Sequence, residues 1–165
     1  MYDKETLSRI IEILNDEKRT LDAVAVLEEK RCRLLTESCW PQMGSIDEEV
    51  ATLVEKLYAL EKERLYAGSR MMHTKTADTL GELIRFVSVE DQEELIQLQH
   101  DMTAVIQRLQ FLKSVTEALL ADKKEMMDIT MSAARGESGL KEYTDKGSTR
   151  EVNTGAASII FSRRI

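Results

Sequence analysis

The sequence has few of the residues that interrupt helices: it contains one proline and seven glycines in 165 residues. Aromatic residues, which are enriched in β-strands, make up only 5% of the chain. Hydrophobic residues account for 42% and charged residues for 32%, in a mixture rich in Leu, Glu, Lys, Ala and Met. These scarcities argue against a sheet protein and favour a helical or coiled-coil protein.

The sequence also lacks a cysteine pair that is close enough to bond. Cys32 and Cys39 lie seven residues apart on one predicted helix, so their Cα atoms are about 10 Å apart, too far for a disulfide. Free thiols are typical of a reducing compartment. The N-terminus has no uninterrupted apolar stretch, and no apolar run approaches the length of about 18 residues that a membrane span needs. We therefore expect a cytoplasmic protein without membrane insertion.

Positive charge is also in short supply, because the formal net charge is −7 and the isoelectric point is near 5.0. A protein that binds nucleic acid without sequence preference needs a basic face to neutralise phosphates. We therefore expect no nucleic-acid partner.

Patterns typical of catalytic and metal sites are missing as well. The two histidines, His73 and His100, lack the E-x-x-H spacing of a carboxylate-bridged metal bundle. The sequence has no C-x-x-C pair, no glycine-rich phosphate loop and no G-x-S-x-G motif. We therefore expect a protein that is not an enzyme, with no catalytic residue, no metal and no cofactor.

The first helix is predicted to begin at the N-cap Asp3 and to run to about Ser38, where Trp40–Pro41 and Gly44 are expected to end it. Its apolar residues alternate between four- and three-residue spacing, and further apolar residues widen the stripe, as in a helix packed against two neighbours. The stripe residues are Leu7, Ile11, Leu14, Leu21, Ala25, Cys32 and Leu35, widened by Ile10, Val24, Leu27 and Leu34.

Two S/T-x-x-E capping boxes predict the next helices. The box at Ser45 predicts a helix that continues to about Met72 and carries its apolar residues at the same spacing. The box at Thr79 predicts a short helix through Val87.

The last helix is predicted to be the longest, from the N-cap Ser88 to the stop at Gly136, with a length of about 65–70 Å. Its heptad positions are Leu95, Leu98, Met102, Val105, Leu109, Leu112, Thr116, Leu119, Lys123, Met126, Thr130 and Ala133. Short connections between long helices favour antiparallel neighbours. The predicted fold is all-α: an elongated antiparallel bundle of three long helices and one short helix in residues 1–135.

Residues 136–165 are predicted to form a separate, flexible tail. The tail is rich in Gly, Ser, Thr and Asn, which cannot bury enough apolar area to order it. It nevertheless contains Ile159, Ile160 and Phe161, followed by Arg163 and Arg164. Such a segment could contact an acidic and apolar surface, which could be a surface of this protein.

The last helix carries more apolar residues than one antiparallel neighbour would cover. They could pack against two helices, or they could form a groove for the amphipathic helix of another protein. The adjacent Met126 and Met127 favour an adaptable binding surface. The candidate binding residues are Ile106, Phe111, Leu112, Val115, Leu119, Leu120, Met126 and Met127.

Several stretches resemble the FlgN-type flagellar export chaperones. They are "EKRTLDAVAVLEEKRCRLL" in the first helix, "LVEKLYALEKERL" in the second and "LKSVTEALLADKKEMMDI" in the last. Tyr143 followed by Gly147 resembles the Tyr-x-x-x-Gly of the family after that helix. The paired asparagines that the family often shows before its Leu-Leu are replaced here, with Ser114 and Glu117 in that neighbourhood.

The resemblance implies a cytosolic chaperone that is neither an enzyme nor dependent on ATP. Such a chaperone binds the aggregation-prone terminal helices of hook–filament junction proteins and delivers them to the flagellar type III export gate. The resemblance also implies that the region of Tyr143 and Gly147 docks at the gate protein.

Two other functions fit the same composition. One is a structural coiled-coil protein whose additional apolar face serves self-association. The other is a helical regulatory domain that binds an unrelated enzyme. Self-association predicts a mass that depends on concentration without any partner, whereas a chaperone predicts a soluble 1:1 complex with an otherwise insoluble chain.

Overall fold

The computed structural model describes residues 2–73 and 79–135, which form four α-helices and one short 3₁₀ turn. The helices are α1 (Lys4–Thr36), α2 (Met43–Met72), α3 (Leu80–Phe86) and α4 (Val89–Ala134), and the 3₁₀ turn is Trp40–Gln42. Neither described range contains a strand, so the predicted all-α fold with three long helices and one short helix is confirmed. The predicted tail, including Tyr143 and Gly147, lies outside the described residues.

Helices α1 and α2 form an antiparallel hairpin. Near the start of α1, Arg9 donates from Nη2 to Glu63 Oε1 in the second half of α2, at 2.6 Å. Near the end of α1, Arg31 pairs with Asp47, close to the start of α2. Chain direction therefore reverses between α1 and α2, as predicted.

Helix α4 packs on another side of α1 and runs parallel to it. Lys18 Nζ lies 2.7 Å from Asp101 Oδ2, and further along both helices Cys32 Sγ lies 3.2 Å from Thr116 Oγ1. Within the described ranges no Cα atom of α2 comes within 8 Å of one in α4. Helix α1 is therefore the central element, contacted by α2 and by α4.

The two ends of α1 are closed by different devices. The predicted N-cap is confirmed, since the Asp3 carboxylate accepts from the backbone N–H groups of Glu5 and Thr6. At the other end Ser38 adopts a left-handed backbone with φ of 58°, and the Cys39 N–H donates to the Leu34 carbonyl at 2.9 Å. This geometry is that of a Schellman motif, with serine at the position that glycine usually occupies.

The start of α2 differs from the sequence prediction. Gly44 and Ser45 both lie inside the helix, which begins at Met43 directly after the 3₁₀ turn. Ser45 is therefore not the N-cap, and its hydroxyl instead donates to the Gln42 carbonyl at 3.1 Å. The prediction that Gly44 helps to end α1 was also wrong. The turn after α1 is made by Ser38, and Pro41 occupies the 3₁₀ segment that follows.

The two later helix starts were predicted correctly. Thr79 Oγ1 accepts from the Glu82 N–H at 3.2 Å, and the Glu82 carboxylate accepts from the Thr79 N–H at 3.3 Å, so the capping box is present. Ser88 is the N-cap residue of α4, although its hydroxyl bonds to the Asp91 carboxylate rather than to a backbone N–H. Tyr2 also contacts Asp91 through its hydroxyl, which links the segment before α1 to the start of α4.

The main core joins α1, α3 and the first half of α4, with Met71 from the end of α2. The wide apolar stripe predicted for α1 is confirmed, since Ile10, Val24 and Leu34 are buried together with most of the heptad residues. The stripe of α2 is less enclosed: Ile46 is buried, whereas its next apolar positions are half-buried. These half-buried positions are Val50, Leu53, Leu57 and Leu60.

A buried ion pair joins α1 to α2. Arg64 Nε lies 3.0 and 3.1 Å from the two carboxylate oxygens of Glu17, and the side chains are only 7% and 5% exposed. Burial raises the pKa of Glu17 above its ordinary value, and the charge and hydrogen bond of Arg64 act against that rise. The pair therefore fixes how α2 sits on α1, at a cost in desolvation.

We predict that Arg64→Met destabilises the fold by about 3–5 kcal/mol at pH 7, because it leaves the Glu17 carboxylate buried and unpaired. Burial raises the pKa of Glu17, and the variant lacks the arginine that opposes this rise. At low pH the buried Glu17 of the variant is protonated and neutral, so the variant loses little stability; this benefit is lost as pH rises through the raised pKa. The deficit should therefore shrink towards about pH 4, near the ordinary pKa of a glutamate. Urea unfolding followed by circular dichroism at both pH values measures it.

The control for this prediction is Arg19→Met, which removes an exposed arginine from α1, the helix that carries Glu17. The double variant Glu17→Met/Arg64→Met should recover most of the lost stability, because no buried charge remains. An Arg64→Met variant as stable as the Arg19→Met control would contradict the prediction.

Candidate functional site

Helix α4 continues well past the end of the helix on which it packs. The last hydrogen bonds between α4 and the α1 side, among the described residues, are those of Thr116 with Cys32 and of Lys123 Nζ with Ser38 Oγ, the latter at 2.8 Å. Every residue from 124 to 134 is exposed, which corresponds to about 16 Å of helix. The predicted heptad pattern nevertheless continues through this stretch. Residues 120–134 are called distal α4 below.

Distal α4 exposes five large apolar side chains. They are Leu120 (42% exposed), Met126 (63%), Met127 (60%), Ile129 (63%) and Met131 (48%). A single exposed apolar residue is ordinary on a protein surface, whereas a cluster of them marks an interaction site. Three of the five are methionines, whose flexible side chains adapt to differently shaped partners.

A pocket lies where distal α4 passes the turn after α1. Its volume is about 370 Å³, and its apolar lining comes from Trp40, Met126, Met127 and Met131. Its polar lining consists of Ser38, Lys123 and Thr130. The left-handed turn at Ser38 and its bond from Lys123 hold the Trp40 segment beside the helix. We call this the Trp40–methionine pocket.

From Phe111 to Met131, the large exposed apolar residues of α4 divide between two faces, and Met126 lies between them. At 3.6 residues per turn, Leu120, Met127 and Met131 lie within about 40° of one another around the helix axis. Phe111, which is 66% exposed, lies about 160° from Met127 and in line with Ile129, five turns further on. We call these the pocket face and the outer face; one partner helix could not cover both.

The eight predicted binding residues fall into three groups. Ile106 and Leu112 are buried in the core, so they are not available on the surface. Val115 and Leu119 are half-buried. The four that are exposed are Phe111, Leu120, Met126 and Met127, of which the two methionines line the pocket.

Sequence reasoning missed Trp40 as a candidate binding residue. The Trp40–Pro41 pair was used only as a helix terminator, although a lone tryptophan beside a turn is a large apolar side chain that the helix pattern does not place. Ile129, which is exposed on distal α4, was also missed. The available signal was that the heptad pattern of the last helix extends beyond the length of the first helix.

The surroundings of the pocket are acidic. Residues 34–50, which include the turn, contain four carboxylates and no basic residue. One of the four, Asp47, is paired with Arg31. Distal α4 adds Asp122, Glu125 and Asp128 against two lysines. The two segments that form the pocket therefore carry a net negative charge, while the one charged residue in its lining is Lys123, which bonds to Ser38.

Residues 2–73 and 79–135 contain no cluster of metal ligands and no membrane-spanning helix. No group of three His, Cys, Asp or Glu side chains there could hold a metal ion. Both His73 and His100 are exposed. Among the helices of these ranges, none is long and apolar enough to cross a membrane.

A helical bundle whose longest helix exposes a methionine-rich surface is suited to binding other polypeptides. The family model described as FlgN protein matches residues 1–151, and the chain belongs to this family of flagellar export chaperones. Searches of curated proteins and of solved structures found no match. The family assigns the chain to flagellum biogenesis and implies that it binds flagellar proteins as a chaperone.

We predict that alanine substitutions separate core from surface on α4. Leu112→Ala should cost about 2–5 kcal/mol, because it opens a cavity in the core. Met127→Ala should change stability by less than about 0.5 kcal/mol, because the side chain is largely in solvent. Urea midpoints from circular dichroism test this, and equal losses for the two variants would contradict the assignment of Met127 to the surface.

Proposed function

We propose that this chaperone binds the terminal helices of hook–filament junction proteins on distal α4 and delivers them to the flagellar type III export gate. The observation that supports the surface is the exposed apolar cluster of distal α4 beside the Trp40–methionine pocket. The resemblance to the FlgN-type chaperones supports the client and the gate.

An exposed amphipathic helix of a client is an aggregation hazard, since its apolar face has no partner before assembly. A chaperone whose groove or helix face covers the apolar side of the client removes this hazard by binding alone, without a chemical reaction. Distal α4 offers such a face on a rigid helix, while its methionine side chains can adjust to the client.

We assign the client to the pocket face rather than to the outer face. The pocket face combines Leu120, Met127 and Met131 with Trp40, so a client helix would contact two elements at once. Phe111 lies on the outer face and does not line the pocket, so it does not share a site with Trp40. Val115 and Leu119, which are half-buried, would form the margin of the client site.

Gate docking is assigned to Tyr143 and Gly147 on the basis of the resemblance alone. We propose that residues 1–135 fold as a unit and that residues 136–165 form a tail with this second task. Client binding and gate docking would then use separate parts of the chain.

Self-association is the second candidate, and the outer face favours it. Phe111 and Ile129 lie in line on this face and are 66% and 63% exposed, so two copies could pair along it. Sedimentation equilibrium distinguishes the two candidate functions. A wild-type mass that rises with concentration, together with a lower mass for Phe111→Glu, would support self-association.

We predict that Met127→Glu weakens binding of the C-terminal segment of a junction protein at least about tenfold, or about 1.4 kcal/mol. The reason is that a carboxylate would be placed in an apolar contact without a partner. Isothermal titration with the full chain measures the affinity. Ile96→Glu is the matched control, because Ile96 is 49% exposed on the same helix and far from the pocket. Equal loss in both variants, or none in Met127→Glu, would overturn the assignment.

We predict that Tyr143→Ala reduces affinity for the export gate protein and leaves client affinity within about twofold, less than 0.5 kcal/mol. The physical reason is that removing a phenol ring from a docking segment deletes its largest apolar contact. Paired titrations of wild type and variant, against the gate domain and against the client segment, separate the two effects. Unchanged gate affinity would remove Tyr143 from the docking site.

A further inference from the structure

The Trp40–methionine pocket lies close to the point at which the described chain ends. Met131 lines the pocket and lies four residues before Arg135, the last described residue. Trp40 is 46% exposed at the opposite wall. The pocket is thus an open apolar surface immediately beside the start of the 30 residues that follow.

Those following residues contain a segment with matching chemistry. Ile159, Ile160 and Phe161 supply three large apolar side chains in a row, and Arg163 and Arg164 follow. No acidic residue occurs from residue 152 onwards. The family match ends at residue 151, so this segment lies beyond the part of the chain that the family model covers.

The charge of the segment is complementary to that of the pocket surroundings. The segment contributes two arginines and no carboxylate, whereas residues 34–50 contribute four carboxylates and no basic residue. Glu37, adjacent to the pocket residue Ser38, is exposed and is one of these carboxylates. Apolar contact favours this placement, and Glu37 offers the arginines a carboxylate beside the pocket, on the Ser38 side rather than the Lys123 side.

The length of the connecting chain also permits this contact. Met127 lies eight residues before Arg135, which is about 12 Å along the helix. The 23 residues between Arg135 and Ile159 include four glycines, and a flexible linker of that length has a root-mean-square span of about 25–30 Å. Short flexible linkers give effective concentrations in the millimolar range, so even a weak contact would be well populated.

We propose that residues 159–164 occupy the Trp40–methionine pocket of their own chain when no client is bound. Ile160 and Phe161 contact Trp40 and the methionines of distal α4, and the two arginines face the carboxylates around the turn. The pocket is then covered by the protein itself. If the proposed function holds, a client helix must displace this segment, which lowers its apparent affinity by the fraction of chains that are covered.

Trp40 makes the proposal testable without any client, because it is the only tryptophan in the sequence. Acrylamide quenching and the emission maximum of the full chain therefore report on the pocket alone. We expect Ile160→Ser/Phe161→Ser to shift the emission to longer wavelength and to raise the quenching constant, since the indole loses its cover. Arg163→Glu/Arg164→Glu should act in the same direction, and protection in the wild type should weaken with added salt.

The matched control is Leu140→Ser/Val152→Ser, which removes two apolar residues from the same part of the chain but outside the segment. It should leave emission and quenching as in the wild type. A synthetic peptide of residues 152–165, added to the Ile160→Ser/Phe161→Ser chain, should restore protection with a saturable dependence on its concentration.

Three results would overturn the proposal. They are wild-type quenching in Ile160→Ser/Phe161→Ser, an equal rise in the control variant, and protection that falls on dilution of the wild-type protein. The third would mean that the segment of another copy covers the pocket. These measurements use no client. They can therefore contradict the proposal that residues 159–164 occupy the pocket while client binding to distal α4 is still supported, and the opposite outcome is equally distinguishable.

Discussion

The difference in length between two packed helices determines which part of the longest helix is left exposed. Helix α1 has 33 residues and α4, which runs parallel to it from the same end, has 46. At 1.5 Å per residue the excess is about 20 Å, and it carries apolar side chains that α1 cannot cover. The exposed surface of α4 follows from this mismatch and not from a specialised loop or cleft.

The register between the helices decides where the mismatch falls. Two adjacent residues of α1, Glu17 and Lys18, pair with Arg64 of α2 and with Asp101 of α4. Charged pairs at fixed positions permit one alignment, whereas apolar stripes alone tolerate sliding by a turn. With this alignment the turn at Ser38 lies beside Lys123, and Trp40 becomes the second wall of the pocket.

The proposed client surface would combine a fixed position with tolerance for partners of different shape. The backbone of α4 is a continuous helix, so the place of contact is fixed. The large exposed apolar side chains beyond Lys123 are mainly methionines, whose unbranched side chains change shape at little cost. In the proposed complex, the net negative charge of the segments beside the pocket would favour partners with basic flanks, and would act on association rate more than on affinity.

The sequence by itself determined the helices and most of their starts, because caps and periodicity are local properties of the chain. Asp3, Thr79 and Ser88 are N-cap residues as predicted, while α2 begins before Ser45 because the turn is made by Ser38 in a left-handed conformation that few sequence signals announce. The sequence also pointed to Met126 and Met127 in the candidate surface. It could not separate them from Ile106 and Leu112, since all four are apolar positions of one helix and differ only in what lies opposite. Which of these positions is buried depends on where α1 ends against α4 and on which side of α4 Trp40 lies. Both are contacts between distant parts of the chain, so only the tertiary structure decided them.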